Sequence, residues 1–442
     1  MYMPDVRSIQ DVVRKRLCVS CGACVSEAPV GSMRMVLRED LGMRLPEIVD
    51  PKQVTGCGSE FDVCPGAGLS IDEISRELYG DGLRTSLELG RYRASYAAHS
   101  TDPAVLAQAS SGGVMTAVAQ FLIQNGLVDA ATIVRFEYGN GTGPRPIEYL
   151  AWSLKDLMAG QGSKYCPTSV NLLVRECMER GGKYLFCGTP CQVAALRLAI
   201  RKHPELGVLF PLTMAHFCGG FRDYRQLDWI IRKHGLDPVD VEYFRFRGNG
   251  QPGGMCIRTQ SGKMVEEPYP QYLRDCPVPK LKRCTFCIDG TGHLADFACG
   301  DAWLPRYMND DCPWSIIIAR SEAAVGIIDE MARLGQLAIE PLAFEDVVRS
   351  QKSNLTSKVK RQYKRMKLYS LVGTTMPKWD VELPCGSNTY GGELAVLLGK
   401  RLYRCQTLMR IRRRLSRYRT LVLMKRTLEA LSRSLIRGDK AL

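Results

Sequence analysis

Two periods in the hydrophobic pattern predict a body built from alternating strands and helices. Short apolar runs predict strands, among them YAAHS (96–100), ATIVRF (131–136), KYLFCG (183–188), GVLFPLTMAHFC (207–218) and SIIIA (315–319). Apolar residues at helical spacing predict helices, among them GGVMTAVAQFLIQNG (112–126), CQVAALRLAIRKH (191–203) and DYRQLDWIIRKHG (223–235). This alternation predicts an α+β fold with helices layered on a sheet.

The first 75 residues have a different composition. Residues 18–75 are rich in Gly, Pro and Cys, and they contain one two-stranded candidate, MRMVLRED (33–40) followed by MRLPEIVD (43–50). The apolar content is too slight for a core of its own, so we expect a small module that a bound metal holds folded. A polar stretch at 77–93 is predicted to link this module to the larger body.

The cysteine content of the chain restricts its possible functions more than its length does. The chain has 442 residues, of which 18 are cysteine, while its hydrophobic share of 45% is ordinary for a globular protein. The N-terminus has no apolar segment that would serve as an export signal. Cys-x2-Cys spacings in such a chain favour metal ligands over disulfides, so we expect a reducing, cytoplasmic location.

The net charge of +14 is unevenly distributed. Segment 401–437 places Leu and Met at helical spacing between arginines, which predicts a basic amphipathic helix. Three interpretations stay open: peripheral contact with the inner membrane surface, packing on an acidic partner, or a solvated extension. No apolar run reaches the roughly 18 residues of a membrane span. No nucleic-acid-binding motif accompanies the charge, so no nucleic acid partner is expected.

An N-terminal cysteine group has the spacing of an iron–sulfur site. CVSCGAC supplies Cys18, Cys21 and Cys24, and Cys64 precedes a proline. Thiolates suit iron, and four of them close a 4Fe–4S cluster. Bacterial-type ferredoxins continue this run with a fourth cysteine before Pro29, where this chain has Ala28. We therefore predict one cluster here. Cys57 competes with Cys64 as the fourth ligand, and a zinc knuckle is the alternative site.

Four cysteines farther along the chain form a second candidate group: Cys191 in FCGTPCQ, Cys218 in HFCGG, and Cys284 and Cys287 in CTFC. Either of the first two alone would more often be an ordinary core residue. Each, however, follows a predicted strand. Because parallel strands end side by side, both sulfurs are expected to face one site.

Three polar segments are candidates for binding a cofactor. ASSGGVMTAV opens a predicted helix, where backbone N–H groups favour a phosphate; an ordinary serine cap is the alternative. GQGSKY adds the cation of Lys164. LADFACGDAW brings the Asp301 carboxylate near a ring system, unless it is a surface turn. His216 and His293 are weak candidates for a proton donor, because a histidine in such a position is more often a structural group.

Five frames, in this order, resemble the family of beta subunits of coenzyme F420-reducing hydrogenases and dehydrogenases: AQASSGGVMTAV, GSKYCPTSV, FCGTPCQVAALR, HFCGGF and CTFCIDGTGHLADFACGDAW. That family of flavin and iron–sulfur oxidoreductases also includes ferredoxin-dependent vinyl and hydroxymethyl chlorophyll reductases. The frames lie between residues 90 and 305. The cysteine-rich N-terminal module also resembles one found in many bacterial members.

The resemblance implies a bound FAD, and a 4Fe–4S cluster held by Cys191, Cys218, Cys284 and Cys287. The residues that it implies around the flavin are Ser110, Ser111, Gly112, Gly113, Gly162, Ser163, Lys164, Tyr165, Gly188, Thr189 and Pro190. It further implies electron exchange with a carrier, either a ferredoxin or reduced coenzyme F420, or with an organic substrate. The shared motifs do not specify which.

These observations predict three domains: a ferredoxin-like 4Fe–4S domain (1–80), a flavin and iron–sulfur catalytic domain (91–370) and a basic helical extension (371–442). We expect a flavoprotein oxidoreductase with FAD and two 4Fe–4S clusters, with the central cluster between the N-terminal one and the flavin. Two alternatives remain. One is a non-catalytic electron-transfer subunit of a larger hydrogenase or dehydrogenase complex. The other is a membrane-associated reductase of polysaccharide or lipid-linked precursors.

Overall fold

The structure is a computed structural model that describes residues 6–139 and 141–385. The described residues fall into two compact units. The larger one comprises the described residues up to 358 together with 376–382, and the smaller one includes 359–375 and 383–385. The basic segment 401–437 lies outside the described residues. Within the described chain, no helix combines the length and hydrophobicity needed to traverse a bilayer.

Strands occur throughout the larger unit. They are β1 Met33–Arg38, β2 Met43–Ile48, β3 Gly68–Leu69, β4 Arg84–Ser86, β5 Gly90–Tyr92, β6 Ala94–Ser100, β7 Ala130–Glu137, β8 Arg145–Ala151, β9 Tyr184–Gly188, β10 Leu212–His216, β11 Val241–Arg245, β12 Gly254–Thr259, β13 Met264–Pro268, β14 Phe297–Asp301, β15 Ser315–Ala319, β16 Leu337–Pro341 and β17 Lys378–Trp379.

Helices alternate with these strands. They are α1 Ile9–Arg14, α2 Ala23–Glu27, α3 Ser59–Asp62, α4 Ile71–Tyr79, α5 Pro103–Gln108, α6 Val114–Gln124, α7 Leu154–Ala159, α8 Leu173–Arg180, α9 Pro190–Lys202, α10 Leu206–Leu209, α11 Arg225–Lys233, α12 Lys282–Thr285, α13 Pro305–Met308, α14 Glu322–Arg333, α15 Phe344–Ser350, α16 Lys352–Leu355 and α17 Gln362–Leu371. Single turns add the 3-10 helices Val170–Leu172, Pro238–Asp240 and Gln271–Leu273 and the π-helix Thr356–Lys360.

An eight-stranded mixed sheet organises the larger unit, in the order β16-β6-β15-β14-β10-β9-β7-β8. Its four inner strands β14, β10, β9 and β7 are parallel, and the flanking strands are antiparallel. Buried apolar residues of α6 and α14 pack with the sheet strands in one core. These two helices provide part of the cover that parallel strands need on both faces. The predicted α+β class is therefore confirmed.

Several helices and strands of the structure differ from those that the sequence predicted. The segment Phe297–Asp301, for which a surface turn was the alternative, is the inner strand β14 between β10 and β15. Its sequence FACGD has none of the β-branched residues that are typical of a strand, but its first three residues are buried. The run predicted as one strand at 207–218 begins with the helix α10, and β10 starts only at Leu212, after Pro211. The strands β8 and β16 were not predicted.

The N-terminal segment has the predicted hairpin, in which β1 and β2 pair antiparallel with Met33 opposite Ile48. The polar stretch 77–93, predicted as a linker, instead contains the end of α4 and the β4–β5 hairpin. Arg91 in this stretch is buried and pairs with Asp72 of α4. Residues on both sides of the predicted boundary at 80 belong to the larger compact unit. The three-domain division stays a prediction.

A buried ion pair ties together the elements that carry two of the central cysteines. Arg197 of α9 donates to the Asp296 carboxylate at 2.8 Å. The same carboxylate accepts from the backbone N–H and the hydroxyl of Thr213 in β10, each at 2.9 Å. Arg197 also donates to the carbonyl of Leu294 at 3.0 Å. Because these polar groups all have partners, the pair fixes α9 against β10 and the start of β14.

Removing one partner of the ion pair between Arg197 and Asp296 should therefore destabilise the fold. We expect Asp296→Ala to lower the free energy of unfolding by about 3–5 kcal/mol, because Arg197 would stay buried without its carboxylate. The matched control is Glu73→Ala, which removes an exposed carboxylate paired with Arg201 and should change stability little. Urea unfolding followed by circular dichroism measures both variants. Equal losses in the two variants would contradict the role given to the buried pair.

Candidate metal and cofactor sites

Four N-terminal cysteines come together around one small cavity, which we call the upstream site. Its lining includes Cys18, Cys21, Cys24 and Cys64. Cys57, the competing fourth ligand, is exposed and does not line this cavity. The structure therefore gathers the quartet that contains Cys64.

Backbone geometry shapes the upstream site. The Cys18 sulfur accepts from the N–H of Ser20 at 3.3 Å, and the Cys64 sulfur accepts from the N–H of Gly66 at 3.4 Å. Gly22, which opens α2, has φ +87, and a Cβ there would come within 2.8 Å of Leu172. Only glycine adopts this turn without strain. N–H groups directed at sulfur favour the thiolate form that binds metal.

The four later cysteines line a second cavity, which we call the central site. Its lining includes Cys191, Cys218, Cys284 and Cys287. The strands β9 and β10 pair in parallel and end together, as the sequence predicted. Cys191 lies at the N-terminus of α9, directly after β9, and Cys218 follows β10 by two residues. The other two cysteines come from α12 and the residues just after it.

Local contacts position the sulfurs of the central site. The N–H of Gly220 donates to the Cys218 sulfur at 3.3 Å, and the Thr189 hydroxyl lies 3.2 Å from the Cys191 sulfur. Gly220 has φ +86, and a Cβ there would meet the Cys284 Cβ at 2.9 Å. A side chain at this turn would therefore displace one of the candidate ligands.

Burial makes both sites unfavourable for unpaired thiolates. It raises the pKa of Cys18 to about 12, with smaller contributions from Cys64 and Cys191. It likewise raises the pKa of Cys284 to about 11, with Cys218 contributing. Four thiolates sharing such a site need a compensating cation, which iron supplies. The donor set at each site thus fits a cluster held by four cysteines.

The zinc knuckle stays the alternative prediction for the upstream site, because four thiolates are also the donor set of a structural zinc ion.

The two sites share a wall. Val19 lines both cavities, and Arg283 lines the central one. The buried Arg283 guanidinium donates to the carbonyls of Pro65 at 2.9 Å and Gly66 at 3.2 Å, next to Cys64. Its cation also lies 4.5 Å from the ring centroid of Trp379. No sequence motif marks Arg283, although its position directly before Cys284 is a signal visible in hindsight.

The serines predicted to line a flavin bond to protein in this structure. The Ser110 hydroxyl donates to the carbonyl of Arg247 at 3.3 Å and accepts from the N–H of Ser163 at 3.2 Å. The Ser111 hydroxyl donates to the carbonyl of Trp314 at 2.7 Å. These contacts join the loop before α6 to the GQGSKY turn.

The structure explains why glycine occurs at several positions of the loop and the turn. A Cβ on Gly112 would come 2.5 Å from the carbonyl oxygen of Ala98 in β6, so the close approach of this strand requires glycine. Gly113 caps α6 with φ +69. Gly162 differs, because its φ is +92 and the nearest atom that a Cβ would meet, the carbonyl oxygen of Arg247, is 3.6 Å away. That separation is an ordinary van der Waals contact, so the positive φ of Gly162, and not crowding, favours glycine there.

Lys164 and His216 lie near each other. The Lys164 ammonium donates to the carbonyls of Gly160 at 2.5 Å and of Gln161 and Gly162, each at 3.0 Å, and burial lowers its pKa to about 7. The side chain of His216, at the end of β10, is exposed to solvent. The surrounding protein and then the nearby Lys164 lower the pKa of His216.

Most of the other predicted side chains pack into the fold. Tyr165 joins the second apolar core, where its ring centroid is 5.1 Å from that of Phe246. Thr189 caps α9 in a reciprocal capping box with Gln192, and Gly188 ends β9. Pro190 occupies the first helical position, where its missing N–H has no cost.

Asp301 has a partner that the sequence analysis missed. The buried Arg247 guanidinium donates to the Asp301 carboxylate at 2.6 Å and to the carbonyl of Ser110 at 2.6 Å. The Arg247 cation lies 4.9 Å from the ring centroid of Tyr269 and 5.5 Å from that of Trp303. Arg247 thus ties Asp301 to the serine loop.

His293 has a structural environment. It is buried, and a Cβ on Gly90 would come 2.8 Å from its ring. Its backbone N–H donates to the Asp289 carboxylate at 3.0 Å. Burial lowers the pKa of His293. It lines neither cysteine cavity, and its role as a proton donor stays a prediction.

Comparison with known proteins defines the class of this chain. The model for the N-terminal part of the coenzyme F420 hydrogenase/dehydrogenase beta subunit matches residues 95–175. The model for the C terminus of the same subunit matches residues 181–344. Together they span more than half of the chain, which belongs to the family of coenzyme F420 hydrogenase/dehydrogenase beta subunits.

Proteins similar to this chain have several activities in their names. A subunit of the F420H2 dehydrogenase of Methanosarcina mazei is 26% identical over 319 residues, covering 71% of this chain and 82% of that protein. Coenzyme F420-dependent sulfite reductase of Methanocaldococcus jannaschii is 25% identical, covering 78% of this chain but 52% of that protein. The chloroplastic 7-hydroxymethyl chlorophyll a reductase of Oryza sativa is 28% identical, covering 55% and 50%.

A solved structure shares the fold. A chain of the F420-reducing NiFe hydrogenase complex from Methanosarcina barkeri superposes with a TM-score of 0.52 at 20% identity. The match covers 65% of this chain and 96% of that one.

The choice between Cys64 and Cys57 can be tested directly. We expect Cys64→Ser to lose about half of the bound iron, because the upstream site would lack its fourth thiolate. Cys57→Ser should keep the full content, since that exposed sulfur lies away from the cavity. Iron and acid-labile sulfide are measured per chain after anaerobic purification. The assignment is wrong if the Cys57 variant loses iron and the Cys64 variant does not.

Proposed function

We propose that this chain is an FAD- and iron–sulfur-dependent oxidoreductase that passes electrons between a carrier and an organic substrate. The observation that carries the proposal is the shared wall between two four-cysteine sites. Val19 contributes to both cavities, and Arg283 bonds to the backbone beside Cys64 while it lines the central site. Adjacent clusters suit electron transfer, whereas structural metal sites have no need to share a wall.

In this proposal the upstream site binds one 4Fe–4S cluster and the central site another. Each cluster would supply one-electron transfer. The N–H groups of Ser20, Gly66 and Gly220 would stabilise the ligand thiolates. The buried wall formed with Val19 would exclude water from the space between the sites.

Several residues support a flavin near the central site. The exposed side chain of His216 at the end of β10, with Lys164 nearby, would face a planar cofactor bound there. A flavin exchanges hydride with an organic molecule and single electrons with a cluster. Arg247 and Asp301 would hold the loop of Ser110 in place beside it. The Lys164 ammonium, which donates to the carbonyls of Gly160, Gln161 and Gly162, would offset the charge of the FAD pyrophosphate through its positive charge.

Names of the relatives favour coenzyme F420 as the carrier. Two of these relatives, the dehydrogenase subunit and the sulfite reductase, carry this coenzyme in their names. The chlorophyll reductase shows that the matched region also occurs in an enzyme named for an organic substrate. Ferredoxin remains the second carrier to be compared.

An anaerobic preparation tests the proposal. We expect about eight iron atoms and eight sulfides per chain, as two 4Fe–4S clusters require, together with FAD. Bleaching of the flavin absorbance is then followed with reduced coenzyme F420 and, separately, with reduced ferredoxin. Rapid bleaching by one donor identifies the carrier. Zinc in place of iron, or no flavin, would reject the proposal.

A second candidate is a non-catalytic electron-transfer subunit of a larger complex. Its support is that one relative is named as a dehydrogenase subunit and that the solved chain belongs to a hydrogenase complex. Size-exclusion of the native protein from its host separates the two candidates. The second is favoured if the protein stays associated with hydrogenase or dehydrogenase subunits.

The prediction of a membrane-associated reductase depends on the basic C-terminal segment, which lies outside the described residues. Liposome flotation with and without residues 395–442 tests it.

The Lys164 ammonium gives a pH prediction for FAD binding. A pyrophosphate beside it would raise its pKa from about 7, so binding takes up a proton above that pH. FAD affinity should therefore be highest below pH 7 and fall by up to about tenfold per pH unit above it. Lys164→Gln should flatten this profile, and the exposed Lys155→Gln is the matched control. Identical profiles in wild type and Lys164→Gln would contradict the assignment.

A further inference from the structure

The two cysteine sites differ in the charges around them. Apart from its cysteines, the upstream site is lined, within the described chain, by residues without ionisable side chains. The central site is lined by Arg283, Asp289 and Lys358 in addition to its cysteines. The two sites share a wall, and the electrostatic potential is expected to differ between them because, in the described chain, only the central site is lined by charged side chains other than cysteine.

Lys358 is the charge specific to the central site. Its side chain is 3% exposed, and the ammonium donates to the main-chain carbonyl of Asp289 at 2.7 Å. That carbonyl also lies 3.3 Å from the Cys287 sulfur. A buried cation is costly unless negative charge compensates it. A thiolate-bound cluster beside it would provide that charge.

The carboxylate that lines the central site belongs to Asp289, and it already accepts hydrogen bonds from the backbone. The Asp289 side chain accepts from the backbone N–H groups of Thr291 at 3.0 Å, Gly292 at 2.7 Å and His293 at 3.0 Å. These three donors offset its negative charge. The hydrogen bond from Lys358 goes instead to the main-chain oxygen of the same residue, toward the Cys287 sulfur.

The other two cations near the central site act differently. Arg283 bonds to the carbonyls of Pro65 and Gly66, so its charge acts on both sites. Lys280 donates to the carbonyl of Gly219 at 2.7 Å but is exposed, so solvent and salt screen its charge. Lys358 therefore distinguishes the central site from the upstream one.

We propose that Lys358 is a positioning residue that raises the reduction potential of the central cluster above that of the upstream cluster. Reduction adds one negative charge to a cluster, and a buried cation beside it favours that reduced form. Electrons shared between the two sites would then reside mainly at the central one, which the proposed function places next to the flavin. This inference rests on the proposed function, because it requires a cluster at each site.

Lys358→Gln tests the inference by removing the charge while keeping most of the side-chain volume. Midpoint potentials are read from a redox titration followed by low-temperature electron paramagnetic resonance. The signal absent from Cys284→Ser is assigned to the central cluster. We expect Lys358→Gln to disfavour reduction of that cluster by at least tenfold, which is 59 mV for a one-electron couple. Lys358→Arg should keep the potential, and Lys280→Gln should change it much less.

The outcomes separate this inference from the proposed function. Absence of two cluster signals in wild type rejects the proposed function. Two signals whose central potential is unchanged in Lys358→Gln overturn the inference alone, as does an equal shift in Lys280→Gln. If Lys358→Gln fails to retain iron, the order of the two wild-type potentials decides. An upstream potential equal to or above the central one then contradicts the inference.

Discussion

The gathering of eight buried or partly buried thiols around two adjoining cavities is the constraint on which the rest of the structure depends. A buried thiolate is unfavourable, and four around one cavity repel one another. The raised pKa of Cys18, to which Cys191 of the other site contributes, shows how closely the two groups are placed. In the proposed function, metal binding would relieve this cost and couple folding to cofactor incorporation. The glycine turns and the N–H groups directed at sulfur serve the same end.

The larger fold explains how distant cysteines meet. Parallel pairing of β9, β10 and β14 brings the carboxyl ends of these strands together, and the buried pair of Arg197 with Asp296 fixes α9 at the opposite ends, where β10 and β14 begin. A helix and a loop then begin where the strands end, and they carry Cys191 and Cys218. Chemistry at the carboxyl ends of parallel strands is common in such sheets.

Cysteine spacing predicted the upstream quartet, whereas the central quartet was predicted from the strand ends before Cys191 and Cys218 and from the family resemblance, since only Cys284 and Cys287 form a local motif. The hydrophobic period likewise predicted β9, α9 and the β1–β2 hairpin. Sequence reasoning failed where small residues form a buried strand, as in β14, and where a helix interrupts an apolar run before Pro211. It also missed Arg247, Arg283 and Lys358, since a single cation has no periodic signal. Gly112 was interpreted as a ligand contact, whereas the approach of Ala98 already requires it.

The central claim is that two clusters lie side by side in one chain. Electron paramagnetic resonance of the fully reduced protein, with quantitation of spins and of the magnetic interaction between them, tests it most directly. The account predicts two spins per chain with spectra broadened by mutual coupling, because the sites share a wall. A single unbroadened signal, or a protein without paramagnetic iron after reduction, would contradict it.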